Sequence, residues 1–219
     1  LAFHHLTETK NLDLYTSYLK KELSQERLWK EVPDYLMTSV INEEISAKTI
    51  DRLFKQIDQQ LYSKKVDVII GGPPCQAYSL VGRSRDPKGM KWDKRNFLFR
   101  YYGQFLQRYQ PKFFVFENVL GLISAGNSKY LNEMLQLFSA LGYSTDYKIL
   151  NAEDYGVLQK RRRVVIIGRR GNRPFTFPEL NKTQYSGQVK KDLLYDLPVL
   201  RPGQELQVAQ YCEPINGYL

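Results

Sequence analysis

The chain has 219 residues, 42% of them hydrophobic, with a net charge of +9 and only two cysteines. That length suits one large domain with a real core and leaves little room for two. Cys75 and Cys212 make neither a disulfide framework nor a metal cluster. No stretch reaches the ~20 apolar residues of a membrane span and no signal peptide opens the chain, so a cytoplasmic protein is expected.

In chain order, His4 and His5 read as helix-surface residues, since adjacent histidines face different directions and make a poor metal pair. Ile50, Leu53, Phe54, Ile57 and Leu61 share one face of a predicted helix, and the run VDVII at 66–70 then has strand length. It runs into Gly71-Gly72-Pro73-Pro74-Cys75, where glycine and proline end the strand and build a tight loop. Leu98, Tyr101, Tyr102, Phe105, Leu106 and Tyr109 repeat the helical spacing, Pro111 breaks it, and FFVF at 113–116 is the next strand. A third helix carries Leu131, Met134, Leu135, Phe138 and Leu141 and stops at Gly142. Strands around 147–150 and 164–167 complete the series. The alternation predicts an α/β fold, a mostly parallel sheet with helices on both faces. From about Asn181 the chain is richer in Pro, Gly and Gln and loses periodicity.

Open sheets of this kind bind ligands beyond the carboxyl ends of their strands. The unusual segments sit there. Cys75 lies on a proline-stiffened loop beside the basic run 83–95 (RSRDPKGMKWDKR), where exposure and a positive field lower a thiol pKa and make a nucleophile. Glu117-Asn118-Val119 follows FFVF directly. A strand-end carboxylate there is expected to be partly desolvated, with a raised pKa suited to an acid aimed at a ring nitrogen. Gln159-Lys160-Arg161-Arg162-Arg163 leads into VVIIG, and strand alternation puts Gln159, Arg161 and Arg163 on one side. Arginines in a strand-end cleft grip phosphate or carbonyl oxygens by bidentate hydrogen bonds. With the second basic run at 160–170, these clusters favour a polyanionic partner, nucleic acid first.

In this order and spacing the Pro-Cys-Gln loop, Glu-Asn-Val and Gln-x-Arg-x-Arg resemble the DNA (cytosine-5) methyltransferase family, of the bacterial modification type. Residues 151–157 (NAEDYGV), Phe177-Pro178 and Asp196-Leu197-Pro198 match as well, so the resemblance runs through nearly the whole chain. It implies a Rossmann-like S-adenosylmethionine-dependent methyltransferase fold. It further implies Cys75 as the thiolate that adds to cytosine C6, Glu117 as the group at N3, and Arg161 and Arg163 at O2 and a neighbouring phosphate. Pro74, Gln76, Ser79, Asn118 and Gln159 would contact the substrate. Glu44, Ile45 and Pro73 would contact the cofactor, S-adenosylmethionine, with Glu44 accepting from the adenine amine. Double-stranded DNA would be the substrate, the protein would be nucleoid-associated, and neither metal nor membrane would be involved.

The family's Phe-x-Gly-x-Gly opening and the acidic ribose residue after it are not in these residues, nor is its closing recognition region. Residues 1–200 are therefore expected to be the middle of the catalytic domain and 201–219 the start of the recognition region, the fold being incomplete at both ends. A preceding segment or a partner subunit is expected to complete the cofactor site. Two other readings stand beside this one: an RNA cytosine-5 methyltransferase with the same thiolate chemistry, and a non-catalytic nucleic-acid-binding module or subunit of a split enzyme.

Overall fold

The computed structural model describes residues 2–74, 98–124 and 128–183, with Leu197 and Gly203 besides. Cys75, Gln76, Ser79, the basic run 83–95 and Cys212 lie outside the described residues. The chain divides into two compact units at Lys65/Val66.

The first unit holds helices α1 (Ala2–Glu8), α2 (Leu12–Leu19), α3 (Gln25–Lys30), α4 (Asp34–Thr38) and α5 (Ile50–Leu61). Sequence periodicity foresaw α5, whose Ile50, Leu53 and Phe54 are buried; of the four short helices before it only α1, which carries His4 and His5, was expected. Those helices are set by local signals instead. Ser24 caps α3 by accepting the Arg27 N–H at 3.3 Å, and Pro33 precedes α4, where a missing N–H costs nothing.

The second unit is built on a four-stranded sheet of β1 (Val68–Gly71), β2 (Phe113–Asn118), β3 (Tyr143–Asn151) and β4 (Arg162–Arg170). Between β1 and β2 comes α6 (Phe99–Tyr109), and between β2 and β3 come α7 (Gly121–Ser124) and α8 (Lys129–Ala140). The spatial order is β1-β2-β4-β3. β1 pairs with β2 in parallel, while β4 runs antiparallel to both β2 and β3. β1, β2 and β3 thus point one way, as expected of a mostly parallel sheet, and β4 alone is reversed. The connection from β3 to β4 is too short for a covered crossover, so it returns as an antiparallel pair.

The core lies on one face of this sheet. Phe114 and Phe116 alternate inward from β2 and Val164 and Ile166 from β4, all fully buried against α6 and α8. Phe114 and Phe138 pack at a tilt of 55° with centroids 4.6 Å apart, and Tyr102 meets Phe116 edge-on at 5.1 Å. Burial of each such side chain stabilises the fold by roughly 1.5–3 kcal/mol. The Phe114 ring needs Gly168 opposite it, because a Cβ there would lie 2.0 Å from the ring.

Within this unit the described helices cover that face alone. The other face carries an extended strap at residues 172–178. Phe175 packs on Phe113 at 6.4 Å, the Phe177 N–H donates to Asp146 Oδ2 at 2.8 Å, and Arg169 donates to the Arg173 and Pro174 carbonyls. Phe177-Pro178, a matching dipeptide in the sequence, is therefore part of the sheet's cover. Beyond the strap this face stays open at β1, where Val68 is 46% and Ile70 78% exposed.

Candidate active site

Because β1 and β2 are parallel, their carboxyl ends lie side by side, and the reversed β4 brings its amino end to the same place. Glu117, near the end of β2, pairs across the ladder with Val165, so Arg163 is its diagonal neighbour on the same face. Arg163 Nε donates to Glu117 Oε1 at 2.6 Å, and Arg161 Nη2 lies 3.7 Å from the same oxygen. The alternation expected from the sequence is thus realised: the two arginines share one side and meet the carboxylate. Glu117 is 41% exposed and held between two guanidinium groups.

Gly72, on the segment leaving β1, touches Glu117 from the other direction. A Cβ at Gly72 would lie 2.8 Å from Glu117 Oε2 and 3.0 Å from its backbone oxygen. Only glycine lets the two strand ends approach this closely. Gly71, one residue earlier, faces the opposite side of the sheet, where a Cβ would lie 2.9 Å from the Tyr102 ring. The Tyr102 hydroxyl is 3.1 Å from the Ile69 carbonyl and 3.0 Å from that of Val115, so it ties β1 to β2. Burial pushes its phenol well above the ordinary range, which keeps the proton in place as a donor. The glycine pair therefore serves two faces, the core with Gly71 and the site with Gly72.

Asn118 turns inward. It is 4% exposed, its Nδ2 donates to the Pro73 carbonyl at 3.3 Å, and its Oδ1 accepts the Val119 N–H at 2.8 Å. The side chain expected to contact substrate is thus buried, with one partner inside the protein at each end of its amide. Pro73 is half-buried by this bond, Pro74 is exposed, and Gln159 is exposed just before β4. The strand-end loops thus bring together Gly72, Pro73, Glu117, Asn118, Arg161 and Arg163.

The second basic run does not act as one cluster. Arg161 and Arg163 are at the site, whereas Arg169 and Arg170 are at the far end of β4, roughly 20 Å away at ~3.3 Å per residue. There Arg169 binds the strap and Arg170 binds the Gln110 carbonyl and side chain. A run of like residues along a strand is spread over its length, which composition alone does not show.

Glu44 and Ile45 belong to the first unit, on the segment before α5, and both are exposed there. The Thr49 hydroxyl donates to the Glu44 carbonyl and shapes the turn. A carboxylate acceptor next to an exposed apolar side chain fits the amine and ring of an adenine. No described helix is long and apolar enough to cross a membrane.

Comparison with known proteins gives a match to the family described as C-5 cytosine-specific DNA methylase, over residues 36–208. Three curated relatives are each designated a type II methyltransferase. M.Bpa9945I of Bacillus paralicheniformis is 33% identical over 96% of this chain and 55% of its own length. M1.HphI of Haemophilus parahaemolyticus is 37% identical over 78% of this chain and 43% of its own. M.DdeI of Desulfomicrobium norvegicum is 39% identical over 82% and 43%. The chain spans about half the length of the curated relatives it matches.

Proposed function

Because the chain belongs to the C-5 cytosine-specific DNA methylase family, we propose that it carries the catalytic residues of a DNA cytosine-5 methyltransferase of a type II restriction-modification system. The observation that carries this reading is the Glu117 carboxylate, gripped by Arg163 at 2.6 Å and flanked by the Gly72-Pro73-Pro74 lead-in to Cys75. Double-stranded DNA is the substrate and S-adenosylmethionine the cofactor. The protein works in the cytoplasm, at the nucleoid.

Cytosine C5 and C6 are stacked inside a duplex, so the target base must leave the helix first, at a cost of a few kcal/mol. The Cys75 thiolate then adds to C6. The electron pair of the C5–C6 bond moves toward C5 and, through the ring, toward N3 and O2. Glu117 faces N3 with Oε2, the oxygen on the Gly72 side, while Oε1 stays with Arg163; a proton or hydrogen bond at N3 offsets the developing charge. Arg161, 48% exposed, is free to reach O2 or a flanking phosphate. When bound, S-adenosylmethionine supplies the methyl group that C5 takes up. A base removes the C5 proton, the C5–C6 double bond re-forms, and the thiolate leaves. Glu44 and Ile45 would hold the adenine end and Pro73 would border the reacting groups.

Further chain or a partner subunit is proposed to complete this site, covering Ile70 and Val68 at the open face beside β1. Burying such exposed apolar area favours association.

The chemistry is tested with DNA carrying 5-fluorocytosine, whose C5 fluorine cannot be removed as a proton. The intact protein that carries this chain should form an irreversible covalent adduct with it. Cys75→Ser should abolish the adduct and Cys212→Ser should leave it intact; an adduct that survives Cys75→Ser refutes the mechanism.

A further inference from the structure

Arg163 and Arg161 are held in different ways. Arg163 lies inside the β3–β4 ladder, opposite Leu150, whereas the ladder ends at the pair Asn151 and Arg162, so Arg161 falls just outside it. A bond from the Ala152 N–H to the Arg161 carbonyl, at 2.9 Å, places the Arg161 main chain instead. Ala152 begins a tight turn: its own carbonyl accepts the N–H groups of Tyr155 at 3.0 Å and Val157 at 3.3 Å, and Gly156 takes a φ of +78°. This turn is fastened from outside, by the chain just beyond the strap. The Thr183 N–H donates to the Asp154 carbonyl at 2.9 Å, Thr183 bridges Tyr155 in parallel, and Lys182 Nζ lies 3.0 Å from Asp154 Oδ2. Asp154 therefore meets that chain with both its main chain and its side chain. The strap has its own anchors upstream, at Asp146 through Phe177 and at Arg169. Residues 182–183 can be released without stripping the sheet face.

We infer that Asp154 is a positioning residue for Arg161: Lys182 and Thr183 hold the turn of residues 152–157 through Asp154, and the turn holds the Arg161 main chain beside Glu117. This rests on the reading of Arg161 as a substrate contact given above. Arg161 Nη2 stands 3.7 Å from Glu117 Oε1, loose enough to leave the carboxylate for the substrate. A side chain with that freedom depends on its main chain for aim. Arg163, by contrast, has its ladder position and its 2.6 Å bond to Glu117, so a shift of the turn reaches Arg161 first. Of the two bonds at Asp154 the backbone one carries the greater part, because the Lys182 pair is exposed to solvent and screened.

The test uses Thr183→Pro and Gly156→Ala in the intact protein that carries this chain. Proline removes the N–H that reaches Asp154. Alanine strains the turn from within at a positive φ, its Cβ only in ordinary contact with the Thr183 oxygen at 3.6 Å. Each should slow single-turnover methyl transfer about 10-fold at saturating DNA. With Arg161→Gln already present, neither should slow it more than about 2-fold further, because the group being misplaced is gone. Amide exchange at Ala152 should accelerate while residues 164–169 keep their protection. An equal loss with and without Arg161→Gln would overturn the inference. So would unchanged exchange at Ala152, or protection lost throughout β4, which would make the turn a folding element only. A wild-type protein that transfers no methyl group would refute the methyltransferase reading instead, and exchange at Ala152 would then decide the positioning role by itself.

Discussion

Gly71→Ala and Gly72→Ala, one residue apart, should have opposite consequences. Neither glycine has a positive φ, so alanine is allowed by the backbone at both and the difference lies in what a Cβ meets. At Gly71 it meets Tyr102 Cε2 at 2.9 Å, where ordinary contact begins at 3.4 Å, so the ring must retreat by roughly 0.5 Å. The ring has little room for this, with its hydroxyl tied to two carbonyls and Phe116 at 5.1 Å. Overpacking of this kind costs about 1–3 kcal/mol, partly offset by the ~0.4–1 kcal/mol that alanine gains by restricting the unfolded chain. The net loss of ~1–2 kcal/mol lowers the melting temperature by roughly 2–8 °C. At Gly72 a Cβ meets Glu117 Oε2 at 2.8 Å and the Glu117 backbone oxygen at 3.0 Å; the side chain can swing away while the backbone must give by a few tenths of an ångström, so stability should fall by up to ~1 kcal/mol once the gain from restricting the unfolded chain is counted. The carboxylate, however, is pushed aside by roughly 0.6 Å while Arg163 holds its other oxygen, and turnover should fall about 10–100-fold. Thermal unfolding followed by circular dichroism, together with single-turnover methyl transfer, separates the two. A Gly72→Ala protein that melts early but turns over normally, or a Gly71→Ala protein of full stability, would refute the assignment of the two glycines to opposite faces.

Two further outcomes follow from the placement of charge and of exposed surface. Arg161→Gln should reduce the salt dependence of DNA binding by roughly 0.9 in logarithmic slope, whereas Arg169→Gln and Arg170→Gln, engaged at the far end of β4, should leave it unchanged; a slope that responds to Arg169 would place DNA on the strap. In calorimetric titration these 219 residues alone should bind S-adenosylmethionine weakly or not at all, since the contacts proposed for Glu44 and Ile45 would reach only the adenine end, and micromolar affinity would refute that proposal.

What could be read from the sequence was what period and order encode. Helix α5 and the helix of residues 99–109 follow from apolar spacing, and the two strands that flank the latter follow from short apolar runs. The shared side of Arg161 and Arg163 follows from alternation alone and is met in the structure by a common partner, Glu117. Register was not legible. The inward turn of Asn118, the contact of Gly72 with Glu117 and the clash that keeps residue 168 a glycine all depend on which residue lies opposite which, a long-range fact that no local pattern carries. The signal that was present but unread was the doubling of glycine at a strand end: successive residues face opposite sides, so two in a row announce close approach on both.

The direction of β4 is the last condition for the site. In sequence, Cys75 comes four residues after Gly71, the last of β1, and Glu117 is the last residue but one of β2; parallel pairing sets the carboxyl ends of those two strands together. Arg161 and Arg163 instead stand at the amino end of theirs, Arg161 just before β4 and Arg163 on its second residue. Had β4 joined the sheet in parallel, its amino end would lie at the opposite edge, a strand's length of roughly 20 Å from Glu117, and a Gln-x-Arg-x-Arg motif there could not meet the carboxylate. The short return from β3 forces the reversal, and the reversal turns a motif at the start of one strand into a partner for a motif at the end of another. The one antiparallel strand among the four described is thus the one that delivers the arginines, so the mixed sheet is a requirement of the chemistry as much as a feature of the fold.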